Sequence, residues 1–292
     1  MNLKITLIVA INLLIINESM AKDAALETCD AAVRNRQYTQ AIQVADKHAN
    51  QAEFWLCKGR AQSGLAQNAA AQQSFKQAIS LKPEGLDLIS AHMLLGNAQL
   101  EAKVHDAALE SYQQALKFSE QQNMRRYTRV AHNLIGEAYF DIGQYENALK
   151  AFEAGEKLAM NDDERADSCI HEAMAYQQLQ QADKAIEYQL KGVMMLRKSG
   201  TPDQYADASL TLGKLFSEKK DYVSADKTYQ RLMEYAHDNG GEFYEAKTAI
   251  YWAENKRAQG DVTAANQLIQ QAETIAAKLK DAELDALLAK AK

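Results

Sequence analysis

One short segment recurs along this chain, and its recurrence constrains the fold more than any other feature. The segment AHNLIGEAYFDIGQYENALKAF, residues 131–152, carries two amphipathic patterns of helical period on either side of Gly143. Gly136 and Ala148 are small, and Phe152 is one of the large residues between and after them. A small residue lets two helices approach closely, and a large one fills the adjoining gap. The segment therefore predicts two antiparallel helices joined by a tight turn.

Copies of this pattern follow one another through nearly the whole chain. Residues 209–229, SLTLGKLFSEKKDYVSADKTY, repeat the small residues at Gly213 and Ala225 and the large ones at Phe216 and Tyr229. One hairpin cannot bury its own apolar faces, so it needs neighbours of the same kind. The repetition predicts a stack of helical hairpins.

The repeated pattern resembles the tetratricopeptide repeat, whose first helix carries Trp, Leu, Gly and Tyr and whose second carries Ala, Phe and Ala before a closing Pro. The fullest set is Trp55, Gly59, Ala71, Phe75, Ala78 and Pro83. The resemblance implies an all-α fold, a right-handed α-solenoid of about seven hairpins with a C-terminal capping helix over about 278–292. The low proline content, two residues, agrees with a helical protein.

The repeat register gives the boundaries of the units. They start near residues 22, 52, 89, 129, 166, 206 and 246, in steps of 30 to 40 residues. Most steps exceed the usual period of about 34 residues, so the second helices or their connections are expected to be extended. No domain boundary stands out within 22–292, which the sequence predicts to be one solenoid.

The N-terminal residues do not follow the repeat. Lys4 precedes the apolar run ITLIVAINLLII, and Ser19 and Ala21 supply small residues at cleavage-site spacing. The pattern predicts a signal peptide over 1–21 with cleavage after Ala21; a membrane anchor or a buried helix is the alternative. The residue after the cleavage site is Lys22, which does not fit a lipoprotein. We expect a secreted or periplasmic protein with no membrane span after cleavage.

Export would allow disulfides to form. In the repeat register, Cys29 and Cys57 occupy the first helices of units one and two, on flanks that can face one another if those helices stack side by side. They are the predicted disulfide; two buried free thiols are the alternative. Cys169, in unit five, is expected to be a core residue.

The charge of the chain does not favour a nucleic-acid partner. Lys and Arg number 33 against 39 Asp and Glu, a net charge of −6. Arg125, Arg126 and Arg129 form a local basic cluster that could hold an anion or simply form a solvated helix end.

Catalytic and metal motifs are missing from the sequence. His171 and Glu172 begin like H-E-x-x-H, but Ala175 stands where the second His is required. His92, His132 and Cys169 share one repeat position, yet neighbouring repeats lie about 8 to 10 Å apart, too far for one zinc ion. We therefore expect no enzyme activity, no metal and no cofactor.

What the resemblance implies is a binding surface, because stacked repeats line a concave groove with their first helices. Some of the apolar groups at the family's groove positions could instead pack between helices, Phe140 among them. The candidate ligand-binding residues are Met93, Asn97, Asn133, Leu134, Glu137, Phe140, Ile170 and Met174.

The sequence thus predicts a noncatalytic adaptor that binds a protein or peptide partner in the cell envelope through this groove. The alternative is a sensory or regulatory module that binds a small molecule or a free peptide. The identity of the partner is not visible in the sequence.

Overall fold

A computed structural model of the chain describes residues 24–291, and in this range every regular element is a helix. The predicted all-α architecture of paired helices is confirmed. The chain divides into two compact units, with the division between Ile142 and Gly143.

The first unit consists of three helical pairs followed by a single helix, and each helix packs on the next. The helices are α1 (24–34), α2 (Tyr38–Ala45), a short 3-10 helix (Asp46–His48), α3 (Ala52–Gly64), α4 (Asn68–Ser80), α5 (Gly85–Glu101), α6 (His105–Gln121) and α7 (Arg125–Asp141).

The second unit begins with one helix, continues with three pairs and ends with a capping helix. Its helices are α8 (Tyr145–Glu156), α9 (Asp162–Gln178), α10 (Ala182–Ser199), α11 (Pro202–Glu218), α12 (Tyr222–Asp238), α13 (Glu242–Ala258), α14 (Val262–Leu279) and α15 (Ala282–Ala291). Because α15 packs on both α13 and α14, it is the predicted C-terminal cap.

Most of the connections are three residues long and share one geometry. The middle residue has a positive φ, as at Lys103 (60°) and Lys220 (63°), and the residue after it donates its backbone N–H back into the last helical turn. Asp221 N, for example, bonds to the carbonyl oxygen of Phe216 at 2.9 Å. This Schellman arrangement satisfies carbonyls that the helix end leaves free and turns the chain sharply enough for antiparallel packing.

The small and large residues of the sequence pattern meet inside each hairpin. A Cβ placed on Gly96 would lie 2.4 Å from Cε1 of Tyr112, and one on Gly213 would lie 2.4 Å from Cε1 of Tyr229. Both tyrosine rings are fully buried. The two helices of a pair can therefore approach closely because the glycine leaves room for the ring.

The helices also explain the long repeat steps. In the second repeat α3 and α4 have 13 residues each, whereas α5 and α6 have 17 each. Four residues add about one helical turn. Both helices of the pair are thus extended, and α5 begins at Gly85 rather than at the predicted unit start, Ile89.

A disulfide joins Cys29 on α1 to Cys57 on α3, with 6.3 Å between the Cα atoms. Both residues are fully buried in a small core that includes Phe54 and Ala41. Cys169 is a buried free thiol, and burial raises its pKa to about 11. The bridge ties the first pair of helices to the second.

The predicted signal peptide, residues 1–21, lies outside the described residues. Within 24–291, no helix combines the length and the apolar character needed to cross a membrane.

Candidate ligand-binding groove

In the second unit the first helices of successive pairs, α9, α11 and α13, are joined side by side. Nε2 of Gln177 on α9 donates to Oε2 of Glu218 on α11 at 2.9 Å. The hydroxyl of Ser217 on α11 donates to Oδ1 of Asn255 on α13 at 2.6 Å. These three helices form one surface, which we call the first-helix surface.

The first-helix surface has an acidic pocket of about 280 Å³ near the beginning of α9 and α11. Asp163, Asp167 and Asp207 contribute carboxylates to its lining, and Ile170 and Leu196 contribute apolar surface. Asp207 already lies 3.7 Å from Nζ of Lys247 and accepts a hydrogen bond from the Tyr244 hydroxyl. Carboxylates next to an apolar wall suit a cationic group on a flexible apolar stem, such as this lysine or a Lys or Arg side chain of a ligand.

A second pocket, of about 440 Å³, lies near the ends of α11 and α13. Lys214, Glu218, Tyr251 and Glu254 are among its lining residues. Nζ of Lys214 lies 3.6 Å from the centre of the Tyr251 ring, within the range of a cation–π interaction. This pocket thus offers both signs of charge and an aromatic face, groups that can orient a peptide backbone and its side chains.

Two of the predicted groove residues in the first unit are buried. Met93 is 8% exposed and belongs to a cluster with Ile89, Ala115 and Ala131. Asn133 is 7% exposed. The expectation that Met93 is an open apolar contact is therefore corrected: its thioether fills space between α5, α6 and α7 and helps to hold the first unit together.

The other four predicted residues of the first unit retain accessible surface. Asn97 and Glu137 are exposed, and Leu134 and Phe140 are half-buried. Asn97 already has a partner, because its Oδ1 accepts the hydroxyl proton of Tyr112 at 2.8 Å.

Both predicted residues of the second unit lie on α9. Ile170 lines the acidic pocket, and Met174, one turn later, is 40% exposed. His171, between them, stacks on Phe152 with 4.9 Å between the ring centres. Ile170 and Met174 are thus available to a ligand on the first-helix surface.

Glu172 is a polar residue in the core that the sequence interpretation missed. It is fully buried on α9, and neither carboxylate oxygen has a hydrogen-bond partner. Burial, reinforced by Glu156 and Glu153 on α8, raises the pKa of Glu172 to about 8, although Lys191 and Lys157 oppose the shift. A carboxyl group in this setting is held largely protonated near neutral pH.

Gln189 on α10 is another polar core residue of the same repeat. It is 1% exposed and donates from Nε2 to the carbonyl oxygen of Ala208 at 2.8 Å, while its Oε1 has no partner. Aromatic residues fill the corresponding place in other repeats, as Tyr112 and Tyr229 do. The fifth repeat therefore has a more polar centre than its neighbours.

The other residues singled out in the sequence are core or helix-end residues. His92 and His132 are half-buried, and burial lowers the pKa of each imidazole. Arg125 and Arg126 are exposed at the start of α7. Among residues 24–291, no group of three or more His, Cys, Asp or Glu side chains is placed to hold a metal ion.

Sequence reasoning also overlooked Lys214, Tyr251 and Glu254 in the last two repeats. The signal was present, because the repeat register that gave Met174 also places Lys214 and Glu254 at its groove position nine and Tyr251 at position six. What the register could not show was that the lysine lies over the tyrosine ring.

Comparison with known families identifies the repeat. The tetratricopeptide repeat family matches at residues 52–84, 130–161 and 166–195. The first segment contains the pair α3–α4, and the third covers most of the pair α9–α10.

Curated relatives share part of the sequence. Outer dynein arm-docking complex subunit 4 from Xenopus laevis is 26% identical over 147 residues, which cover 50% of this chain and 28% of that protein. The Bos taurus protein of the same name is 24% identical over 226 residues, covering 74% of this chain and 32% of that protein. The chain thus spans about a third or less of the length of these relatives.

Solved structures share the fold. The apo form of RapI has a TM-score of 0.69 and 16% identity, covering 91% of this chain and 79% of that one. The C-terminal part of a TPR repeat-containing protein from Cytophaga hutchinsonii has a TM-score of 0.61 and 16% identity, covering 90% and 99%. BtubC from P. vanneervenii has a TM-score of 0.62 and 17% identity, covering 74% and 90%. The chain therefore contains tetratricopeptide repeats, at residues 52–84, 130–161 and 166–195, within a fold of paired helices.

Proposed function

We propose that this protein is a noncatalytic adaptor that binds a protein or peptide segment on its first-helix surface. The observation that carries the proposal is the pair of pockets on α9, α11 and α13, of about 280 and 440 Å³. One pocket is rich in carboxylates and the other combines Lys214 with Tyr251. An extended segment with a basic side chain at the first pocket and polar backbone groups at the second would match this chemistry.

The names of the relatives fit the same class of function. The relatives are named as subunits of an outer dynein arm-docking complex, and a place in a protein complex agrees with an adaptor that binds another protein. The exposed groups Asn97 and Glu137 of the first unit are candidates for further contacts with the same kind of partner.

We also propose that the protein acts outside the cytosol, in the cell envelope or as a secreted protein. The short apolar run after Lys4 and the small residues at Ser19 and Ala21 support export. The bridge between Cys29 and Cys57 supports it independently, since stable disulfides are typical of oxidising compartments.

Processing of the N-terminus tests this location. Because Ser19 and Ala21 match the requirements of signal peptidase, N-terminal sequencing of the protein recovered from the exported fraction should begin at Lys22. Intact Met1 recovered in a membrane fraction would contradict the proposal.

Binding on the first-helix surface is tested by substitutions that remove its accessible groups. The partner is first captured from a crosslinked envelope extract. Its binding free energy should be weaker by about 2 kcal/mol for Tyr251→Ala and for Met174→Ala, because truncation of a central contact typically lowers affinity by that amount. The melting temperatures should change little, since neither side chain is fully buried. Met160→Ala is the matched control, a 53% exposed methionine that lines neither pocket.

Phe140 is half-buried, and its substitution by alanine distinguishes a ligand contact from a packing residue. A contact would lose partner affinity in Phe140→Ala with the melting temperature kept, whereas a core ring would lose about 3 to 5 kcal/mol of folding stability. Unchanged partner affinity for Tyr251→Ala, Met174→Ala and Phe140→Ala together would contradict the adaptor proposal in this form.

A sensory module remains the second candidate, and the pocket beside Tyr251 is the observation that favours it. Its volume of about 440 Å³ lies in the range of small-molecule sites. A small molecule or free peptide that raises the melting temperature of the wild type, but not that of Tyr251→Ala, would select this function over the adaptor.

A further inference from the structure

A third pocket of the second unit lies away from the first-helix surface. It has a volume of about 280 Å³ and opens between the second helices α10 and α12, with α11 beneath them. It shares no lining residue with either pocket of the first-helix surface. We call it the second-helix pocket.

Apolar side chains that would normally be covered lie at this pocket. Met194 and Leu190 on α10 are 60% and 41% exposed, one turn apart on the same face. Val193 and Leu212 beneath them are buried. An exposed apolar rim over a buried apolar floor can accept one bulky side chain of a partner.

Three cations surround the same opening. Arg197 on α10 and Lys227 and Arg231 on α12 all line it, and the latter two are one turn apart. All three side chains are exposed, and none forms an ion pair with any carboxylate in residues 24–291. In a chain with a net charge of −6, a basic cluster that forms no ion pairs of its own favours an anionic ligand.

A buried hydroxyl provides an independent indication. Ser209 on α11 lines the pocket, is 2% exposed, and its Oγ has no hydrogen-bond partner. A buried polar atom without a partner is unfavourable, and a polar group of a bound ligand could satisfy it.

We propose that the second-helix pocket is a separate binding site for an acidic peptide segment with one bulky apolar side chain. The apolar side chain packs on Val193 and Leu212, and flanking carboxylates pair with Arg197 and Arg231. A segment with several carboxylates matches three separated cations, whereas a fatty acid brings a single carboxylate. The pocket therefore favours a peptide over a free lipid.

The test uses a short synthetic peptide of glutamates around one central leucine and the full chain labelled at its methionine methyl groups. Adding the peptide should shift the Met194 methyl resonance, and added salt should weaken the binding. A peptide with lysines in place of the glutamates, a glutamate peptide with a central serine, and oleate should each bind more weakly.

Two variants locate the interaction. Arg197→Gln/Arg231→Gln should lower the affinity for the glutamate–leucine peptide by about tenfold or more, because two charge-assisted contacts are lost. Met194→Glu should lower it as well, since it places a like charge at the rim. The control is Lys117→Gln/Lys150→Gln, which removes two exposed lysines that lie outside the three pockets.

Three results would overturn the proposal. These are no shift of Met194 with the glutamate–leucine peptide, equal affinity of that peptide for the wild type and the double arginine variant, or tighter binding of oleate. Since no lining residue is shared with the first-helix surface, partner binding through Tyr251 succeeds or fails independently of this outcome.

Discussion

At pH 8, the Glu172→Leu variant should be more stable than the wild type by about 4 kcal/mol. The folded-state pKa of Glu172, about 8, lies well above its ordinary value of 4.5, and each pKa unit corresponds to about 1.4 kcal/mol. Leucine also suits the site, because Leu95 and Leu212 occupy the corresponding place in other repeats.

The pH dependence follows from the direction of this shift. Folding favours the protonated carboxyl group, so the penalty is absent below the unfolded pKa, grows as the pH rises from 4.5 towards 8, and is constant above that range. The wild type should therefore lose stability between about pH 5 and pH 8. The Glu172→Gln variant, whose amide carries no charge, should lose much less stability over the same pH interval.

Urea denaturation at both pH values measures this difference. Glu110→Gln on α6 is the control, because it removes an exposed carboxylate that lies outside the core. The same change in stability for the wild type and Glu172→Gln between pH 5 and pH 8 would contradict this prediction. It would mean that the pH dependence does not come from a buried, unpaired Glu172.

Loss of the Cys29–Cys57 bridge should destabilise the first two helical pairs by about 3 to 4 kcal/mol on the chain-entropy model. The bridge closes a sequence separation of 28 residues, and the helix α2, which lies between the two linked helices in sequence, has only 8 residues. Hydrogen exchange in α1 and α2 should therefore accelerate when the protein is reduced, while α13 and α14 should change little.

The Cys29→Ala/Cys57→Ala variant is the control, since a reductant should not change its exchange pattern. Nonreducing peptide mapping should find the linked pair in exported protein. Alkylation of both thiols in the native, unreduced protein would exclude the bridge.

The fold could be predicted in most respects because its determinants are local and repeated. Gly96 and Tyr112, or Gly213 and Tyr229, stand at fixed spacing and meet across each hairpin as expected. The turns were less visible: Lys103 and Lys220 adopt positive φ where glycine would be the usual signal. Their conformation is imposed by the close packing of the helices that they connect.

The candidate site was harder to predict because repeat register gives a position but not its exposure. Met93 occupies a groove position, yet the longer helices α5 and α6 bring enough neighbours to bury it. Glu172 was considered as part of a metal motif, whereas its place in the register is a core position. The proximity of Lys214 and Tyr251 depends on the packing of α11 against α13, which no local pattern encodes.

Site-specific photocrosslinking in the native envelope tests the central claim, binding of a protein partner on the first-helix surface. A photoreactive amino acid at Met174 or at Thr211, which lines the acidic pocket, should crosslink the partner, and the same group at Met160 should not. The adduct should disappear when Tyr251→Ala is added to the same chain. Equal crosslinking from Met160, or adducts that form only from the position of Met194, would contradict the account.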